Sequence, residues 1–547
     1  MSKKSFATIG LAIMISALTL TGCQAKQQSQ VPKDTYRTFV SDVIPTMDSS
    51  VSTDMISGQA LTDTMEGLYR YQGKTIMPAL ATKVVSPTND GLTYTIPLKK
   101  NTQWSNGQTV TAQDFVFAWR RTVDPRTKSQ YAYICEGIAN AKEITAGKKP
   151  VNSLGIKALD KYTLQVTLDK PLPYFNELMT SAVFFPQNQT AVKKWGKKYG
   201  TNSKTLVFNG PYKLVNWNGP DNSWKEVKNP HYWNAKKVKV QQLNYQVVKD
   251  SSTSLNLYQA NKLDRTKLTG DISKQMKNSS EYKIQKQNST FYLEMNRQKD
   301  SIFKNTKICQ AISLAINRQQ LTKKILGNGT IAATSFTPTN MAFDPNNSQK
   351  DFVEETSSTG KAQTSYNLKR AKQLWKLGLA ETNNTDKKFK LILLDDDSDI
   401  AKQQDEYLQN QLEKLPGMQI TINNVPLKGR LSRSENGNFD LVVSGWTADF
   451  PDPINYLTLF TTGASNNYGK WSNNQYDTLV NKSMTTDANN PSQRWQDMIA
   501  AQNLINNQQA VIPLYQNGAA WLTHKRVHNL DYGPSGMYNM VSLRIKD

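Results

Sequence analysis

A single hydrophobic core stops growing long before 547 residues are packed around it, so this chain must divide into two or three domains. No segment repeats at a fixed period, and no low-complexity stretch takes up the excess length. With 17 Phe, 11 Trp and 23 Tyr the chain can fill several cores. Leu92, Tyr94, Ile96 and Leu98 alternate with Thr93, Thr95 and Pro97, which predicts a half-buried strand with Pro97 marking an edge. Tyr162, Leu164, Val166 and Leu168 predict a second. Between them Thr111 is placed to cap a helix and Asp114 to sit in its first turn, with Phe115, Ala118, Trp119 and Thr122 following at helical spacing. Farther on, Phe389 to Leu394 reads as a strand, Ile400 to Leu415 as a helix and Phe439 to Ser444 as another strand. Ile308 to Ile316 reads as the buried face of a helix. Strands alternating with helices predict α/β lobes.

The first 22 residues differ from the rest. Lys3 and Lys4 precede an apolar stretch from Phe6 to Leu20, shorter than the roughly 18 residues of a spanning helix, and small residues follow. This describes a secretory leader over 1–22. Leu20-Thr21-Gly22-Cys23 resembles the bacterial lipobox, which implies that Cys23 becomes the lipid-bearing N-terminus of the mature chain. The Gln-, Lys- and Ser-rich residues that follow, to residue 35, suit a flexible tether. Cys135 and Cys309 lack CxxC spacing and are expected to be two separate buried thiols, although one disulfide stays open on sequence alone.

The formal charge of +23 invites a nucleic-acid reading. The lysines are scattered as doublets such as Lys99-Lys100 and Lys236-Lys237, so a solvated surface near an anionic envelope is expected and no nucleic-acid partner. Catalytic patterns fail one by one. His231, His524 and His528 form no metal motif and read as surface residues. Gly73-Lys74-Thr75 lacks the leading glycine of a phosphate loop. Asp395, Asp397, Asp399 and Glu406 match oxygen positions of a calcium loop, but Ile400 stands where its turn needs glycine; these acids read instead as a strand end and a helix start. No metal and no enzyme activity are expected.

Trp104-Ser105-Asn106-Gly107, with Val110 to Val116 and Trp119-Arg120-Arg121, resembles the signature of the oligopeptide-binding proteins, the solute receptors of peptide ABC transporters. Tyr131-Ala132-Tyr133, Asn209 to Leu214, Asn229 to Trp233, Ala311 to Arg318 and Gly445 to Pro453 agree in order. The blocks span about residues 35–547. The resemblance implies a two-lobed, periplasmic-binding-protein-like α/β fold with an extra domain on lobe I and a hinge between the lobes. Lobe I would comprise 36–68, 205–290 and 516–547, the extra domain 69–204 and lobe II 291–515, after a lipidated tether over 23–35. It also implies a monomer, lipid-anchored on the outer face of the cell membrane, that passes peptides to permease subunits and needs no cofactor.

Family members hold an extended peptide by its main chain, which reads few side chains. An aspartate just after a Gly-Trp takes the peptide's α-ammonium, and Asp449 occupies that position. Trp446 would line the same stretch, Gly445 and Thr447 would pair with the ligand main chain, and Tyr131 matches a ligand-contacting tyrosine. From the residues alone, Asp449 could instead cap the segment beginning at Phe450, and Trp446 could be core. Ser52-Thr53-Asp54 departs from a relative that has a glutamate in this early loop, leaving Asp54 as its substitute or that contact absent. Asp264-Arg265-Thr266-Lys267, if it faces the cleft, would favour acidic peptides, and Arg430 and Arg433 are candidates for holding a terminal carboxylate. A receptor for one signal peptide, as in pheromone uptake, and a surface adhesin or chaperone are the competing readings.

Overall fold

The computed structural model describes residues 34–385 and 387–546; the leader, Cys23 and the tether as far as residue 33 lie outside the described residues. Two sheets organise the chain. Thr35–Val40 pairs in parallel with Gln242–Val247, and Ser223–Lys228 and Tyr212–Val215 continue the sheet antiparallel. Trp224 and Tyr245 stand opposite each other in it with rings stacked at 5.2 Å, a cross-strand pair that holds the register.

The larger sheet runs in the order Arg265–Leu268, Ile512–Thr523, Tyr282–Met295, Leu441–Thr447, Phe389–Asp396 and Met418–Val425, with Ile331–Ala332 added to Ile512–Thr523. Its two central strands are 14 and 12 residues long, and their register slips between Lys286 and Thr290 and again between Phe291 and Tyr292. Such bulges bend a strand and strengthen its twist, so a continuous ladder can serve two differently oriented halves. Helices Thr306–Ala315, Leu368–Glu381 and Asp399–Leu412 bury Ile308, Ile312, Trp375 and Leu408 against Leu391, Leu393 and Leu441.

A third sheet is small: Thr93–Pro97, Thr163–Thr167 and Ile156–Asp160, with Pro97 on an outer strand where its missing N–H breaks no ladder. Beside it lies the helix Ala112–Val123. The Thr111 N–H donates to Asp114 Oδ2 at 2.8 Å, and Phe115, Ala118, Trp119 and Thr122 are all buried.

Several boundaries shift for local reasons. The helix expected to reach Leu415 ends at Leu412, ahead of Pro416 and Gly417, the latter at φ +79°. The strand expected over 439–444 runs Leu441–Thr447, because its later half is held by Ser289 to Phe291, about 150 residues away in the chain. Gly73-Lys74-Thr75 makes the turn between Tyr69–Gln72 and Thr75–Pro78, and the Gly73 N–H donates to the Asp531 carboxylate at 2.8 Å. His231 and His528 are exposed, but His524 is half-buried, stacked on Tyr258 at 3.9 Å with Nδ1 3.3 Å from Glu281. Cys135 and Cys309 are separate buried thiols.

The acids of the calcium-loop pattern sit at a strand end and on the helix that follows. Asp395 is the last residue but one of its strand and accepts from Gln404 Nε2 at 2.9 Å, while Asp399 opens the next helix. Asp405, on that helix, accepts from Asn424 Nδ2 at 2.6 Å. Burial pushes the Asp395 and Asp405 carboxyls up, and each raises or bonds the other, so the pair retains a proton near neutrality. Carboxyls raised in the folded state stabilise fully below the ordinary carboxylate pKa of about 4, and that contribution is lost as pH climbs through the raised values. Calorimetric unfolding midpoints should therefore fall between pH 5 and pH 8 through this pair, and Asp405→Asn should flatten that fall and raise the midpoint at pH 8. An unchanged slope would remove the pair from the account.

Candidate functional site

The central strand Leu441–Thr447 has two different edges. On one side every residue from Leu441 to Thr447 pairs antiparallel with Ser289 to Met295. On the other, only Leu441 and Val442 pair, in parallel with Leu393 and Leu394. Among the described residues, the second edge of Val443 to Thr447 carries no strand. Burial changes at the same place: Leu441 to Ser444 are buried, Gly445 is exposed, and Trp446 and Thr447 are half-buried.

That edge opens into a cavity of about 340 Å³. Gly445, Thr447, Ser289 and Phe291 form one wall, and Trp521, Tyr532 and Tyr538 the facing aromatic wall. Phe291 lies so close to Gly445 that a Cβ there would stand 3.0 Å from its ring, so a side chain at 445 would press on Phe291, which stacks on Tyr515. Arg430 lines the cavity and faces Asp396 at 3.4 Å. Arg433 is not part of the lining.

Two residues past Thr447, Asp449 sits in a cluster made by residues distant in sequence. Tyr131 Oη–H donates to Asp449 Oδ1 at 2.7 Å, and Asn455 Nδ2 donates to Oδ2 at 3.2 Å. Asn455 Oδ1 in turn accepts from the Trp446 indole at 2.8 Å and from the Asp449 N–H at 3.2 Å. Asn455 thus fixes Trp446 and Asp449 together. Every side chain bonded to this carboxylate is neutral, and among the described residues no Lys, Arg or His forms an ion pair with it. Burial raises its pKa, and the hydrogen bonds from Tyr131 and Asn455 offset this only in part. The Tyr131 hydroxyl is pushed well up, first by burial and then by the Asp449 charge.

Among the described residues the Asp449 carboxylate accepts from the side chains of Tyr131 and Asn455 and from no backbone N–H of the segment after it, whereas Asp452 accepts from the Ile454 N–H at 2.9 Å and is clamped by Arg494 through two 2.8 Å bonds. Trp446 is only half-buried, and its carbonyl lies 2.9 Å from Tyr456 Oη. Asp54 caps the helix Met55–Thr64, its Oδ1 accepting from the Ile56 and Ser57 N–H groups at 3.0 and 2.8 Å. Asp264 is buried between Arg37 and Arg526. Arg265 lies behind the aromatic wall, its guanidinium 3.6 Å from the Trp521 ring and 4.9 Å from that of Tyr538, donating to Gln285 at 2.7 Å. Lys267, half-buried beside Trp521 in the ladder, has its pKa lowered by burial and then by Arg265. The aromatic wall and Asn455 have no local sequence signature.

Residues 75–468 match the bacterial extracellular solute-binding proteins, family 5 (middle region). A dipeptide-binding protein of Lactococcus lactis is 35% identical over 558 residues, covering 98% of this chain and 99% of the relative. The peptide-bound oligopeptide-binding protein OppA of Listeria monocytogenes superposes with a TM-score of 0.85 at 36% identity, covering 94% of this chain and all of the other. The pheromone receptor PrgZ gives a TM-score of 0.85 at 34% identity with the same coverage. The two-lobed α/β architecture is shared with these structures, and the chain belongs to the family 5 bacterial extracellular solute-binding proteins.

Proposed function

We propose that this chain captures short peptides at the open edge of Val443 to Thr447 and passes them to an ABC importer. The observation that carries the reading is Asp449: a half-buried carboxylate with neutral partners, two residues beyond an unpaired strand edge. A peptide laid on that edge gains main-chain hydrogen bonds, and its α-ammonium supplies the cation that the carboxylate lacks. The aromatic wall of Trp521, Tyr532 and Tyr538 contacts side chains without fixing their identity, and Arg430 is placed to meet a carboxylate. The peptide-binding names of the Lactococcus and Listeria relatives support the same role.

We further infer that the lobes, divided near residues 290 and 515 where the two long strands lose register, close over the ligand by bending there. The Leu20-Thr21-Gly22-Cys23 sequence supports lipid anchoring at Cys23 on the outer face of the membrane. Among the described residues no helix is long and apolar enough to cross a bilayer.

Titration calorimetry of the mature chain, refolded to strip carried-over ligand, with a mixed pool of short peptides tests the reading. The free pool should bind, and the same pool N-acetylated should bind at least about tenfold more weakly, because acetylation removes the cation. Equal binding of both pools would sink the ammonium site. Binding of one defined peptide and none of the pool would favour the signal-receptor reading, to which the likeness to PrgZ points.

A further inference from the structure

A second cavity, of about 300 Å³, opens beyond Met295, the last residue of the long strand that leads away from the cleft. Its lining carries three cations, Arg297, Lys304 and Lys470, with the hydroxyls of Thr306 and Ser472 and the amide of Gln508. No aspartate or glutamate lines it. Arg297 is 6% exposed, and its oxygen acceptors are backbone carbonyls: Met295 at 3.3 Å, Gln509 at 3.2 Å and Ala510 at 2.8 Å. Buried guanidinium groups are ordinarily matched by a carboxylate, and this one is held in place without one. Lys304 and Lys470 are exposed, and among the described residues neither forms an ion pair.

The surroundings deepen the positive field. Thr306 opens the ten-residue helix Thr306–Ala315, whose N-terminal dipole end is positive. The neighbouring acid, Glu294, is buried outside the lining and accepts from the Gly469 N–H at 2.9 Å. Burial pushes its carboxyl up to about 7, so it offsets the three cations only in part. Glu381 is taken by Lys307 and by Asn305 Nδ2.

We propose that this cavity binds a phosphate-bearing anion. A monocarboxylate would leave most of the positive charge unmatched, whereas a phosphate presents several oxygens to two ammonium groups and two hydroxyls beside the buried charge of Arg297. The cavity exceeds the size of a bare ion, so a phosphate carried on a small alcohol fills it better. The same chemistry is offered by free phosphate and by the glycerol-phosphate esters of envelope lipids and polymers.

The test titrates the mature chain with inorganic phosphate, glycerol 1-phosphate and acetate at constant ionic strength, read by calorimetry and by 31P line width. One saturable site for a phosphate species is expected, weakened about tenfold or more in Lys304→Ala/Lys470→Ala. Those two exposed side chains can be removed without opening the core, and peptide affinity in the double variant should match that of the parent. Tighter binding of the ester identifies an envelope-derived ligand, and tighter binding of inorganic phosphate identifies the free ion. Absence of saturation, equal binding of acetate, or phosphate affinity unchanged in the double variant would overturn the site, whatever the outcome at Asp449.

Discussion

Asp449→Asn is expected to weaken binding of a short peptide with a free N-terminus by about 100-fold or more, with little change in folding. Asparagine keeps the shape and, with its oxygen at the position of Oδ1, still accepts from Tyr131 Oη. The charge goes, and with it the bond from Asn455 Nδ2, because the new NH2 at the Oδ2 position cannot accept; the ammonium then meets a neutral amide. The pH dependence follows from the same chemistry. The Asp449 pKa is raised by burial in the unliganded chain, so lowering pH through that raised value neutralises the carboxylate and weakens binding. Above it the charge is present and affinity is maximal. Binding near the raised pKa should release a proton, visible as a dependence of calorimetric heat on buffer ionisation enthalpy. The asparagine variant should show neither the proton release nor the fall at low pH. Parent-like affinity in that variant would place the ammonium elsewhere and leave the open strand edge as the sole support for a peptide ligand.

How much of this could be read from the chain depends on how local each signal is. The alternation of Tyr94 and Ile96 and of Leu164 and Val166 marks buried strand positions, because period-two burial is written in consecutive residues. The Thr111–Asp114 cap is equally local. Asp449 and Tyr131 could be named through family blocks, yet their meeting at 2.7 Å joins residues 318 positions apart and no periodicity encodes it. Asn455, which orients both Trp446 and Asp449, reads in sequence like any helix-start amide. The aromatic wall is drawn from Trp521, which gains meaning when Ile512–Thr523 is laid beside Tyr282–Met295, and from Tyr532 and Tyr538, which face each other in a separate two-stranded pair. Asp54 is local in the same way as Thr111, since its capping role follows from Asp54 and the helix directly after it.

Asp264→Ala is expected to cost about 3–5 kcal/mol of stability while leaving native-state peptide affinity unchanged. The Asp264 carboxylate is fully buried and accepts from the Arg37 N–H at 2.7 Å, Arg37 Nη2 at 2.8 Å and Arg526 Nε at 2.9 Å. Its own N–H donates to the Arg37 carbonyl at 2.8 Å, and its carbonyl accepts from the His524 N–H at 3.0 Å. One residue therefore ties the first strand, the edge strand Arg265–Leu268 and the final segment of the chain, three pieces that lie far apart in sequence. Alanine leaves two guanidinium groups facing each other without their shared counter-ion, and the repulsion adds to the lost bonds. Asp264→Asn, retaining one acceptor but no charge, should fall between alanine and the parent in chemical denaturation. Replacing Arg37, Asp264 and Arg526 together by apolar residues should cost less than Asp264→Ala alone, since much of the penalty of the single change is the uncompensated charge left behind. A denaturation midpoint unmoved by Asp264→Ala would mean that desolvating the triad cancels what its ion pairs contribute, and that the three segments are held by the sheet ladder alone.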